Sequence, residues 1–205
     1  MASEKQLSEI LRRFEEHGIV CHFAHDRAAA LSVCLELARD ASSVSWGGSM
    51  TLGAIGLPEA IERTGVRVIK RVDGTPQERY LSARDTLTAD LYFTSANALT
   101  RDGKIVNIDG FGNRVAAHIF GPHQVVFVAG VNKITGTLDE AIYRVRNIAT
   151  PLNVRRLASG APCGERDYCN DCSGPGRICN DLVIIENVRM VGRVHLVLVN
   201  EELGF

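Results

Sequence analysis

The run Val125-Val126-Phe127-Val128-Ala129, followed by Gly130-Val131-Asn132-Lys133 and then by Thr137-Leu138-Asp139-Glu140, decides the fold class. A strongly apolar, β-branched run bounded by turn residues predicts a central strand buried on both faces. Thr137 with Glu140 three residues on forms a capping box. Leu138, Ala141, Ile142 and Val145 then supply the apolar stripe of a helix running through Ile148, which Pro151 kinks or restarts. A buried strand followed by an amphipathic helix is the repeating unit of a parallel sheet.

The same alternation extends upstream. Leu7, Ile10, Leu11 and Phe14 mark a helix over 4–16 that Gly18 ends, and Ile19 to Phe23 reads as a strand. Asp26 caps a second helix through Arg39, with Leu31, Cys34, Leu35 and Ala38 as its buried stripe and Cys34 a small core residue. Strands follow at Ser43–Trp46, Val66–Val72 and Leu91–Thr94, with helices over 58–64 and 76–88 between them. Asp102-Gly103 predicts a hairpin turn leading to a strand over Lys104–Ile108, and 113–120 reads as a short helix. Leu182–Ile185 and Val194–Val199 are further apolar strands, fit either for a homodimer edge or for the inside of the sheet. The pattern predicts an α/β, Rossmann-like, mostly parallel sheet covered by helices on both faces, with its ligand beyond the carboxyl ends of the strands.

Composition bounds the function classes. The 205 residues are 45% hydrophobic and 23% charged with a formal net charge of -1, which fits a soluble globule with a good core. A near-neutral charge gives no support to non-specific nucleic-acid binding. No run reaches the roughly 18 apolar residues of a membrane span. Met1 to Arg13 is charged and amphipathic and lacks the apolar core of a signal peptide, so a cytoplasmic protein is expected. One domain over 1–205 is expected, with a loop-rich insert at about 159–180.

That insert carries Cys163, Cys169, Cys172 and Cys179 in the spacing C-x5-C-x2-C-x6-C. Clustered thiols in a chain without an export signal read as metal ligands rather than as disulfides. The expectation is one metal centre, either a [4Fe–4S] cluster or zinc, since the spacing matches neither the paired knuckles of zinc ribbons nor the ferredoxin pattern. Four thiolates would leave no open position, so the centre would be structural or would carry electrons.

The loops at strand ends suggest an anionic small-molecule ligand. Gly47, Gly48, Ser49 and Thr51 follow the strand at 43–46; small residues there allow backbone amides near an anion, although the spacing is neither a Walker A loop nor a dinucleotide fingerprint. Asn97, Asp109, Asn113 and Arg114 form a polar stretch able to line a cleft, with Arg114 a candidate clamp for carboxylate or phosphate. Asn132 and Lys133 follow the central strand, where Lys133 could bind an anion or neutralise developing negative charge. No histidine spacing fits a zinc motif and no nucleophile elbow is present.

Gly-Gly-Ser-Met-Thr at 47–51, Asn-Ala-Leu-Thr-Arg-Asp-Gly at 97–103, Asn-Ile-Asp-Gly-Phe-Gly-Asn-Arg-Val at 107–115, Gly-Val-Asn-Lys-Ile at 130–134 and Leu-Val-Asn-Glu-Glu-Leu-Gly-Phe at 198–205 together resemble the LUD domain family. This is also called the lactate utilization protein C or YkgG-like family. The cysteine block resembles a stand-alone subgroup, and the lactate-utilization members generally lack it. The resemblance implies a fold related to ribose-5-phosphate isomerase, glucosamine-6-phosphate deaminase and the CoA transferases. It also implies a place beside lactate oxidation to pyruvate, with a redox partner protein, and names no catalytic residue. Three readings stay open: a redox component acting on a hydroxy acid such as lactate, a non-redox enzyme for a phosphate, carboxylate or CoA ester with a structural metal, and a non-catalytic subunit.

Overall fold

A computed structural model describes residues 4–205, so the expectations that touch Met1, Ala2 and Ser3 lie outside the described residues. The first half runs α1 (Glu4–Glu16), β1 (Val20–Ala24), α2 (Arg27–Ala38), β2 (Ser43–Trp46), α3 (Met50–Ala54), α4 (Leu57–Thr64), β3 (Arg67–Val68), α5 (Pro76–Asp85), β4 (Leu91–Thr94) and β5 (Ala98–Thr100). The second half runs β6 (Ile105–Asp109), α6 (Asn113–Ile119), β7 (Gln124–Gly130), β8 (Ile134–Thr135), α7 (Leu138–Arg144), α8 (Thr150–Leu157), α9 (Cys163–Arg166), β9 (Asp181–Ile185) and β10 (Val194–Val199).

Among the described residues the main sheet has six strands in the order β1-β10-β7-β4-β2-β3, all parallel. β7 is interior, as its apolar run requires, and its side chains alternate between two cores. Val125, Phe127 and Ala129 share one core with Leu7, Ile10, Leu11 and Phe14 of α1. Val126 and Val128 share the other with Cys34 and Ala38 of α2, Leu52 of α3 and Ile61 of α4. Helices therefore cover both faces of a largely parallel sheet. Cys34 is fully buried, and burial pushes its thiol up to about 12, as suits an inert core residue.

The local caps follow the sequence. The Asp26 carboxylate accepts the Ala29 N–H, and Thr137 and Glu140 exchange the two bonds of a capping box. Four elements differ from expectation. The innermost line of α2 is Ala30, Cys34 and Ala38, while Leu31 and Leu35 are only half-buried; small side chains let the helix lie close to the sheet. The strand expected over 66–72 shrinks to Arg67–Val68, because only Ser43 and Val44 pair with it. The helix expected over 76–88 ends at Asp85 and tightens to a 3₁₀ turn over Thr86–Thr88. The helix after Thr137 widens to a π turn at Val145–Ala149, just ahead of Pro151, whose ring and missing N–H disturb the preceding turn.

A second sheet, β8-β5-β6-β9, was not legible as a separate layer. Asp102-Gly103 does make the β5–β6 hairpin, with Gly103 at φ +92. β9 then adds antiparallel to β6, from Ile105 opposite Ile185 to Asp109 opposite Asp181. Ala98, Val106 and Ile108 of this sheet pack on Ala141 and Val145. Its placement brings the 107–115 stretch next to the carboxyl ends of the main sheet. β10, one of the two late apolar strands, lies inside the main sheet, whereas β9 is an edge of the second.

Candidate ligand cleft

β2, β4 and β7 are parallel neighbours, so the chain leaves all three at one end of the sheet. Their exits are Gly47–Ser49, Ser95–Asn97 and Val131–Lys133. Gly47–Ser49, Ser95–Asn97 and, from the third exit, Lys133 form one wall of a cleft of about 470 Å³, and α8 with Arg177 and Ile178 forms another. The location is the one expected for ligands of open parallel sheets.

Lys133 is the deepest charged group there, only 2% exposed. Its Nζ donates to Thr51 Oγ1 at 3.0 Å and to Ser95 Oγ at 2.8 Å. Ser95 Oγ–H donates on to Thr51 Oγ1 at 3.2 Å, and Thr51 Oγ1–H donates to the Leu203 carbonyl at 3.3 Å. The hydroxyl protons thus point away from the lysine. An ammonium has three N–H donors, so one remains for a ligand. No carboxylate is among its partners. Burial, then the positive charges of Arg144 and Arg114, lower its pKa to about 7. Amine and ammonium therefore coexist near neutral pH.

Arg114 has a different task. Its Nε donates to Asp109 Oδ1 at 3.2 Å, Nη1 to Asn107 Oδ1 at 2.8 Å and the Ser95 carbonyl at 3.4 Å, and Nη2 to the Ile108 carbonyl at 2.6 Å and Asn97 Oδ1 at 3.4 Å. A guanidinium has five N–H groups, so all are engaged within the chain. Arg114 ties the 95–97 turn to β6 and α6 instead of reaching for a ligand. Gly47 lies against this knot: a Cβ there would meet Tyr92 Oη at 2.9 Å and Arg114 Cδ at 3.1 Å. Tyr92 Oη is buried without a partner, and burial pushes its pKa up to about 12.

Of the residues singled out from sequence, Gly47, Gly48, Ser49, Thr51, Asn97, Asp109, Asn113, Arg114 and Lys133 all line the cleft. Asn132 does not. Its amide donates to the Gly204 carbonyl at 3.3 Å and its Oδ1 accepts the Leu203 N–H at 3.1 Å, which fastens residues 203–205 over Lys133. Gly204, at φ +63, is required there, since a Cβ would meet Thr51 Oγ1 at 2.6 Å. Ser95, Arg71, Arg156, Arg177 and Phe205 also line the cleft without having been singled out. Ser95 was recoverable, because it follows a strand as Lys133 does. Arg71 and Arg156 are ordinary exposed arginines in sequence and carried no signal.

The metal expectation is overturned. Among the described residues no group of three or more His, Cys, Asp or Glu side chains is placed to hold a metal ion, against both a [4Fe–4S] cluster and zinc at Cys163, Cys169, Cys172 and Cys179. The thiols take part in two small cores. Cys163 is buried with Val154 and Ala161, with Cys172 and Ile178 against them, while Cys179 is buried with Val106 and Ile108. Burial, and after it the neighbouring thiols, raise the pKa of Cys163 and of Cys179. The loop is held by hydrogen bonds. Arg177 donates from Nε to the Cys179 carbonyl at 3.3 Å and from Nη1 to the Cys172 carbonyl and to Asp171 Oδ1, the last at 3.1 Å. Cys169 N–H donates to Asn147 Oδ1 at 2.9 Å, and Asn180 N–H donates to the Asp109 carbonyl at 2.8 Å. No helix among the described residues is long and apolar enough to cross a membrane.

The LUD domain family model matches residues 7–199. A DUF162 family protein from Deinococcus radiodurans is similar in structure at a TM-score of 0.57 and 14% identity, over 98% of this chain and 99% of that one. Ribose 5-phosphate isomerase A from Methanocaldococcus jannaschii gives a TM-score of 0.36 at 16% identity, over 56% of each chain. No curated protein matches the chain.

Proposed function

Since the chain belongs to the LUD domain family, we propose that its cleft binds a small organic acid of the lactate or pyruvate type and that Lys133 handles charge and protons at the reacting centre. The observation that carries this reading is a lysine buried at the end of the central strand, held by two hydroxyls and no carboxylate, with a pKa near 7. A buried cation without a counter-ion gains most from an incoming anion. A lysine poised near neutrality can also exchange a proton with its ligand. Asn97 and Asn113 line the same cleft, and Asn113 Nδ2 is buried without a partner, which suits an acceptor on the ligand. Oxidation of a hydroxy acid releases a pair of electrons and its protons. This reading gives the acid and the hydroxyl proton to the cleft, and the α-hydrogen with its electron pair, two electrons and the second proton, to an acceptor on a separate redox protein.

Titration calorimetry with L-lactate, pyruvate and D-glycerate tests the proposal on the wild-type chain and on Lys133→Met. Saturable binding of at least one acid, lost in the variant, is expected. Absence of binding by all of them at millimolar concentration would overturn it, as would equal binding by the variant.

A further inference from the structure

The cleft is larger than a three-carbon acid needs, and besides Arg71 and the fully bonded Arg114 it carries cations on two walls. Lys133 belongs to the sheet wall, while Arg156 and Arg177 belong to the wall made by α8 and the loop before β9. A volume of about 470 Å³ is within the range of sites for larger metabolites and cofactors, about 300–1,000 Å³.

The donor accounts of the arginines separate their roles. Every N–H of Arg114 is taken, as described above. Arg177 uses Nε and Nη1 on the Cys179 and Cys172 carbonyls and Asp171, and its Nη2 has no recorded partner. Arg156 is held only through Nε, which donates to Asn153 Oδ1 at 2.9 Å, so both its terminal nitrogens are free. Arg156 has no carboxylate partner among the described residues, and Arg177 has only a shared one. Asp171 serves Arg177 at 3.1 Å and Arg146 at 3.9 Å, one largely exposed carboxylate between two guanidinium groups. Asp109, the carboxylate lining the cleft, is paired to Arg114 at 3.2 Å.

We infer that Arg156 and Arg177 form a second anion subsite facing Lys133, so that the ligand class is a phosphorylated organic acid whose phosphoryl group these arginines hold. The inference rests on the anion-site reading of Lys133 and extends it from one charged group to two. A phosphoryl group offers three acceptor oxygens and close to two negative charges, which matches a pair of guanidinium forks with free N–H groups. The cysteine-bearing loop gains a task from this: its backbone carbonyls and Asp171 hold Arg177 at the cleft wall.

Calorimetry with a matched pair of probes tests it at physiological ionic strength, D-glycerate against 3-phospho-D-glycerate, on the wild type, Arg156→Gln, Arg156→Gln/Arg177→Gln and Lys133→Met. Charge-assisted hydrogen bonds support a preference of roughly ten- to a hundredfold for the phosphorylated probe in the wild type. The double variant is expected to bring that ratio close to one while glycerate affinity is retained. Lys133→Met is expected to weaken both probes. Arg156→Gln touches only the bond to Asn153, so it keeps the test valid if loss of Arg177 loosens its loop; it should lower the ratio several-fold with an unchanged melting curve. If both probes bind the wild type equally, or if the ratio survives the arginine substitutions, the second subsite is overturned and the anion-site reading stands. If neither probe binds, the inference is overturned, and the anion-site reading falls with it only if L-lactate and pyruvate fail to bind as well.

Discussion

Replacing Lys133 by Met should stabilise the fold at neutral pH and abolish acid binding. The magnitude follows from the lysine's surroundings. Its pKa falls from 10.5 to about 7, chiefly through burial. At about 1.4 kcal/mol per unit, holding the charged form costs the native state up to about 5 kcal/mol. Well below pH 7 the lysine is charged in both states and the penalty is complete; at pH 7 the native lysine is about half charged and the penalty is short of its full value by only about 0.4 kcal/mol. Between pH 7 and about 10.5 the unfolded chain still binds the proton and the native chain does not. Stability of the wild type therefore rises with pH across that window, and the penalty is gone above it. Met removes the charge but also the two hydrogen bonds that Thr51 Oγ1 and Ser95 Oγ accept from the lysine, at about 1 kcal/mol each. The net gain is about 2–3 kcal/mol at pH 7, shrinking toward zero or slightly below near pH 10. Urea unfolding of both chains at pH 7 and pH 10, with calorimetry on the same samples, reads all of this. A variant less stable than wild type at pH 7, or a gap between the chains that does not change with pH, would refute the reasoning.

Three further outcomes are expected. Because an anion favours the protonated lysine, binding should be about tenfold tighter at pH 6 than at pH 8 if Lys133 titrates near 7, with proton uptake seen by calorimetry in buffers of different ionisation enthalpy. Arg114→Lys should destabilise the chain by about 2–4 kcal/mol, because an ammonium cannot reproduce bonds to Asp109, Asn107, Asn97 and two carbonyls; urea unfolding measures it. Gly47→Ala should weaken acid binding several-fold by pushing on Tyr92 Oη and Arg114 Cδ, with stability lowered by about 1–3 kcal/mol, both measured on the one protein.

Much of the architecture was legible because periodicity and caps agree locally. The stripe of Leu7, Ile10, Leu11 and Phe14 packs as a unit, and Asp26 and Thr137 cap the helices they precede. The rule that clefts open beyond the carboxyl ends of parallel strands singled out Gly47–Thr51 and Lys133, and these do line the cleft. What sequence could not show was partnership. Nothing near Arg114 in the chain reveals that its donors are consumed by β6 and the 95–97 turn, since that depends on the second sheet. Nothing near Arg156 reveals a cleft, because α8 meets it only through tertiary packing. The cysteine spacing misled for a related reason. Spacing records how close thiols lie along the chain, whereas ligation needs them to converge, and here the buried thiols belong to different small cores.

The position of β10 bears on how the chain reaches its native state during synthesis. This strand lies between β1 and β7, pairing Val20 with His195 on one side and Val125 with Val194 on the other. Among the described residues β1 touches the rest of the main sheet only through β10, so it has no strand partner until β10 has been made. During that interval the edge of β7 stays unpaired, and the core beneath α1 lacks Val194, Leu196 and Leu198. Closing so long a loop is slow, and exposed strand edges invite association with other chains. The making of β10, rather than the emergence of any earlier segment, sets when the sheet can close.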